Sequence, residues 1–296
     1  MLKRREGLRP LFFIGLNVET GVDNLLSRCV KLAILTSVMS SSFLNYSVSM
    51  AQDIDVREVI SHCDFKNPGD DQTSLLSITL IDKDNNERKN VYRRLWKNYF
   101  GEDDILDKMV LFTEFPPDAK GTAFMRWGYQ ASANKMADQW LYLPHLRKVR
   151  RVSVRDPGDS FLGSDLTYGD IEDRSIDDDS YVLLDHKSKS GREIFMVEIT
   201  PKESDSLYSK KISWFAKKAD WDSCVRVKTD YYDRQGNLLK KQKLTWQKVK
   251  DAWVWDQVIV ENIQTKHKSI FAVTDVNVGV GLEGRAFTER ALKKGK

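Results

Sequence analysis

The stretch FMRWGYQASANKMADQWLYLPHLRKVRRVSVRDPGDSFLGSDLTYGD, residues 124–170, decides the fold. It opens on an aromatic strand carrying Phe124, Trp127 and Tyr129. A second strand follows, Trp140-Leu141-Tyr142-Leu143-Pro144. Aromatic residues favour strands because they fit a pleated, half-buried surface. Next come a basic run and two short motifs, SFLGSD from Ser160 and TYGD from Thr167. The stretch holds no catalytic constellation. It reads as a greasy sheet with an ordered loop, which suits holding an acyl chain better than breaking a bond.

The same two-residue period extends in both directions. Leu76, Ile78 and Leu80 alternate with Ser77 and Thr79. Val91, Arg93, Leu95 and Lys97 share one face of the next strand, and Tyr92, Arg94 and Trp96 share the other. Polar turns at 82–86, 187–191, 233–237 and 250–251 separate further strands. Closely spaced strands with such turns predict an antiparallel meander of roughly ten strands. The expected fold is mainly β, a single curved antiparallel sheet or incomplete β-barrel.

Helical patterning is confined to a few places. Ile54, Val56, Val59 and Ile60 form an apolar stripe that Asp53 can cap, predicting an opening helix over 53–65. Segment 160–179 is a loop with helical character around 168–174, and 283–292 reads as a closing helix. The inward faces are bulky and the outward faces charged, as where Val225, Val227, Thr229 and Tyr231 oppose Arg226, Lys228 and Asp230. A single sheet must cover its apolar face. These three segments are the expected helical lids. Any gap beneath them accepts an acyl chain, each buried methylene contributing about 0.8 kcal/mol. On pattern alone an ordinary filled core is the commoner outcome.

With 296 residues, no internal repeat and no linker, the chain divides into an N-terminal extension, 1–51, and one domain, 52–296. The extension reads as an export signal. Arg28 and Lys31 precede the short apolar core 32–39, and Ser49-Met50-Ala51 offers cleavage after Ala51. The core is shorter than the ~20 residues that span a bilayer. The alternative is a cytosolic chain with an amphipathic N-terminal helix. Cleavage leaves Cys63 and Cys224. An exported chain permits a disulfide, but two separate buried thiols are the expected arrangement.

The net charge of +4, from 47 basic and 43 acidic residues, is too even for a nucleic-acid protein. Arg147, Lys148, Arg150, Arg151 and Arg155 form the densest basic run; anionic headgroups, an acidic partner or a solvated strand face all fit it. His62, His145, His186 and His267 lack a second ligand at zinc spacing, and 82–87 lacks the central glycine of a calcium loop. No metal, cofactor or catalytic residue is expected. A hydrolase assembled only in space leaves no local trace and stays a remote alternative.

Residues 140–151 (WLYLPHLRKVRR), SFLGSD and TYGD together resemble the outer-membrane lipoprotein-sorting, LolA-like family. The resemblance covers roughly residue 53 to the end. It implies an incomplete barrel with helical lids over a hydrophobic cavity, in a periplasmic carrier of lipid or lipoprotein acyl chains. It also implies a possible inner-membrane transporter as partner and peripheral contact with the membrane. A periplasmic lipid or polypeptide sensor acting on a membrane signalling protein is the alternative. Trp127, Trp140, Tyr142, Phe161, Trp246, Trp253 and Trp255 are the candidate cavity walls, although each is individually more often a core residue. Gly163 and Asp165 are candidates for shaping the loop. No position matches the lid-latching arginine of the classical carriers.

Overall fold

The computed structural model describes residues 54–152 and 156–295. The expected export signal, the cleavage point, the cap Asp53 and Arg155 lie outside the described residues.

Helix α1 spans Val56–Cys63. Asp55 caps it, accepting from the Arg57 amide at 2.9 Å. The strands are β1 Asp71–Ile81, β2 Glu87–Asn98, β3 Ile105–Phe115, β4 Ala123–Tyr129, β5 Asp138–Leu143, β6 Lys148–Val152, β7 Asp179–Lys189, β8 Arg192–Pro201, β9 Lys210–Lys217, β10 Val225–Tyr232, β11 Leu238–Val249, β12 Ala252–Asn262 and β13 Lys268–Val278. Helix α2, Glu289–Lys294, closes the chain. The expected ten strands are thirteen, because short polar strands such as β6 carry little apolar signal.

All thirteen form one antiparallel sheet in the order β6-β5-β4-β3-β2-β1-β13-β12-β11-β10-β9-β8-β7. The sheet is not closed. From its middle the chain runs to one edge, β6, crosses to the other edge, β7, and returns to pair β13 with β1. The crossing segment therefore has to span the sheet. It does so over one face, here called inner.

The inner face must bend. Asp170 of the crossing segment meets Lys240 on β11, and Glu172 meets Arg126 on β4. Six strand spacings separate β4 from β11, about 29 Å if flat. Residues 170 and 172 lie no more than about 7 Å apart. Long side chains bridge part of the difference and curvature the rest.

Two apolar cores lie on the inner face. The crossing segment puts Phe161 and Leu166 onto Ile78, Leu111, Val258 and Phe271. At the other end, α1 sets Val59, Ile60 and Cys63 against Phe195, Val197 and Phe215. A third core lies on the outer face, where Phe287 and Leu292 of the closing segment cover Leu95, Val110, Phe112 and Met125. The closing segment is thus no lid on the inner face. Strand alternation explains this: Leu95, Val110 and Met125 point away from Trp96, Met109 and Arg126, so the sheet has two apolar faces at this end. Asp71 fixes the turn to the outer face, accepting from the Val280 and Leu282 amides at 2.7 Å each.

Cys63 and Cys224 are disulfide-bonded, contrary to the expected separate thiols. Fold topology brings α1 beside the loop before β10, a juxtaposition invisible in residues 161 apart. Closing so long a loop in the unfolded chain gives an expected stabilisation of about 5 kcal/mol in the chain-entropy picture. Cys63→Ser should lower the urea midpoint accordingly, and reductant should do the same to the wild type. A midpoint indifferent to reductant would mean that the pair is not formed in solution.

Candidate functional site: a hollow under the crossing segment

The crossing segment is fastened by its own polar residues. Gly163 adopts φ 76°, a left-handed conformation that favours glycine, and turns the chain after Phe161. Phe161 then points inward and meets Phe124 and Tyr168 edge-on, at 6.1 and 5.7 Å. Asp165 reaches β13, accepting from Ser269 Oγ at 2.6 Å and lying 2.7 Å from His267 Nδ1. Thr167 and Asp170 form a reciprocal capping box.

Asp170 is also half of a buried ion pair. Lys240 Nζ donates to its Oδ2 at 2.5 Å and to the Asp165 carbonyl at 2.8 Å. Tyr208 Oη donates to the other carboxylate oxygen at 2.8 Å. Both charged side chains are 2% exposed. Burial alone would raise the Asp170 pKa, but the Lys240 charge and the hydrogen bonds from Lys240, Thr167 and Tyr208 outweigh it and hold the carboxyl below its ordinary value.

The far end of the segment is tied by Arg126, which is 5% exposed. It donates to Asp107 at 3.0 Å, to Glu172 at 2.8 Å and to the Ile171 carbonyl at 3.3 Å. Burial raises the Glu172 pKa, with Arg126 opposing the rise. Gly128 makes room for this guanidinium, since a Cβ there would stand 2.4 Å from Arg126 Nη1.

Between these fastenings and α1 a hollow of about 340 Å³ remains. That lies within the ~300–1,000 Å³ of ordinary ligand cavities. Leu76, Met109, Phe161, Trp255, Phe271 and Val273 supply apolar walls. A β-bulge between Thr245 and Trp246 brings Trp246 opposite Trp255, and their rings meet edge-on at 6.5 Å. Trp253 also borders the hollow, with Lys66 over its ring at 5.4 Å. A second, more polar hollow of about 230 Å³ adjoins the first, sharing Asp64, Leu166 and Trp255.

Of the candidate wall residues, Phe161, Trp246, Trp253 and Trp255 border the hollow. Trp127, Trp140 and Tyr142 do not. They pack in the outer core against the closing segment, Trp127 and Trp140 with ring centres 5.0 Å apart. The register gives the reason. Trp140 pairs with Met125, and Tyr142 with Ala123, while Phe124 and Arg126 hold the inner positions. Aromatic content shows that a face is buried but not which face.

The expected alternation also misplaced Arg226. A register shift between Arg226 and Lys228 turns Arg226 inward, where it lies 3.3 Å from Asp64. Arg94, Arg126 and Lys240 were not anticipated at the site. The sequence does hold a trace of them, in cations at inward strand positions among aromatics, as in Tyr92-Arg94-Trp96 and Phe124-Arg126.

Solved structures share this architecture. A domain from Vibrio parahaemolyticus described as an outer membrane lipoprotein-sorting protein is 27% identical, with a TM-score of 0.67 over 80% of this chain and 97% of that one. A DUF1329 family protein from Desulfovibrio piger is 25% identical, with a TM-score of 0.68 over 80% and 97%. A family model with the description "Uncharacterized protein" matches residues 106–294, more than half of the chain. This chain belongs to the family that this model describes, and its fold is LolA-like. A LolA superfamily protein from Nitrosomonas europaea shares the fold at 18% identity, with a TM-score of 0.57 over 81% of this chain and all of that one. No curated protein matches the chain. Among the described residues of this LolA-like chain, no helix is long and apolar enough to cross a membrane.

Proposed function

We propose that this LolA-like protein is a periplasmic carrier that holds lipid or lipoprotein acyl chains in the hollow beneath its crossing segment. The observation that supports this most is the hollow itself. It has aromatic and aliphatic walls and lies on the inner face of an open sheet. A filled core would have left no such space. Binding there needs no covalent chemistry, because apolar burial alone suffices for an acyl chain. The Cys63–Cys224 disulfide suits an oxidising compartment such as the periplasm. Exchange with an inner-membrane transporter, and transient contact with the membrane, belong to the same reading.

Native mass spectrometry of gently purified protein tests it. Co-purifying lipid, or saturable binding of palmitic acid by the delipidated chain, is the expected result. Protein that stays empty and takes up no acyl compound would end the carrier reading, and turnover of ester substrates would replace it with a hydrolase.

A further inference from the structure

The mostly apolar hollow has charged groups in its wall. Asp107 is taken by Arg126 at 3.0 Å, and Asp64 faces Arg226 at 3.3 Å. Arg94 also lines it, and among the described residues Arg94 belongs to no ion pair. Its hydrogen bond is to a neutral amide, Gln72 Oε1, at 2.8 Å. A guanidinium carries five N–H donors, so most of its capacity is unspent. Arg94 is half-buried on β2, between β1 and β3. Asp107 acts on its charge, but Arg126 holds that carboxylate in an ion pair. Withdrawing a cation from water without a paired anion is costly. Lys66 adds a second positive charge at the wall, held by the His62 and Asp222 carbonyls.

We propose that the hollow selects amphiphiles bearing an anionic group, a carboxylate or a phosphate, held head-inward against the Arg94 guanidinium with the acyl chain along Trp246, Trp255 and Phe271. This inference rests on the carrier reading and adds the chemistry of the cargo. A neutral acyl ester leaves Arg94 unpaired. An anion completes it through charge-assisted hydrogen bonds, the stronger kind. Burial lowers the Arg94 pKa only to about 10, so it stays charged at neutral pH.

The test uses the full delipidated chain with palmitic acid, its methyl ester and hexadecyl phosphate. Acid and alkyl phosphate should bind about tenfold or more tighter than the ester. Arg94→Gln should erase that preference, and Arg94→Lys should keep part of it. Should Arg94→Gln fail to fold, the wild-type comparison and the lysine variant decide. Ester binding equal to acid binding overturns the inference while the carrier reading stands. A preference that survives in Arg94→Gln assigns the anion to another group and also overturns it. Displacement of palmitate by inorganic phosphate alone would mark a free-anion site and overturn the amphiphile. No binding of any acyl compound overturns both readings.

Discussion

Asp170→Asn is expected to lower stability by about 3–5 kcal/mol, the usual cost of removing one partner from a buried ion pair. The variant leaves Lys240 inside the protein, 2% exposed, without its anion. It also weakens the capping box that shapes the crossing segment. Asp170→Asn/Lys240→Met should recover much of the loss, because it removes the buried cation that the single variant leaves without an anion. Urea denaturation of the two variants measures this. If the single variant is as stable as the wild type, the crossing segment is not fastened through this pair.

The same pair sets a pH dependence. The folded pKa of Asp170 lies below its ordinary value. Its contribution is therefore present above the unfolded value of about 4, and it is lost as pH falls from there through the folded pKa. Hydrogen exchange over 161–171 should accelerate in that acid range in the wild type. In Asp170→Asn it should be fast already and show no such step.

Val273→Trp is expected to abolish most ligand binding. Val273 is a wall of the hollow on β13 and is largely buried. An indole there occupies space that three or four methylenes of a guest would fill. At about 0.8 kcal/mol each, the loss is roughly a hundredfold in affinity. Trp140→Ala is the matched control. It lies in the outer core, so it should lower stability and leave affinity unchanged. A folded Val273→Trp that binds as the wild type does would place the acyl chain elsewhere.

Arg126 and Arg94 show how much of the site was legible in the residues alone. Both stand at inward positions of strands whose alternation is plain in the sequence. Nothing local, however, says that Arg126 finds Asp107 and Glu172 in ion pairs while Arg94 donates to Gln72. Those partners come from a neighbouring strand and from a segment 46 residues away. Trp140 makes the complementary point. Its burial was readable, but its face depended on register with β4 and on where the closing segment docks.

Local chemistry therefore determined the elements of this protein. The two-residue period fixed the strands, polar turns fixed the hairpins, and Gly163 with Thr167 and Asp170 fixed a structured crossing segment. Each of these depends on residues close in the chain. Tertiary structure alone decided three other things. It placed the closing segment on the outer face, joined Cys63 to Cys224, and left a hollow bordered by the Arg94 guanidinium rather than a filled core. Each arises from contacts between distant residues, and a sheet with two buried faces offers every strand two sides for making them.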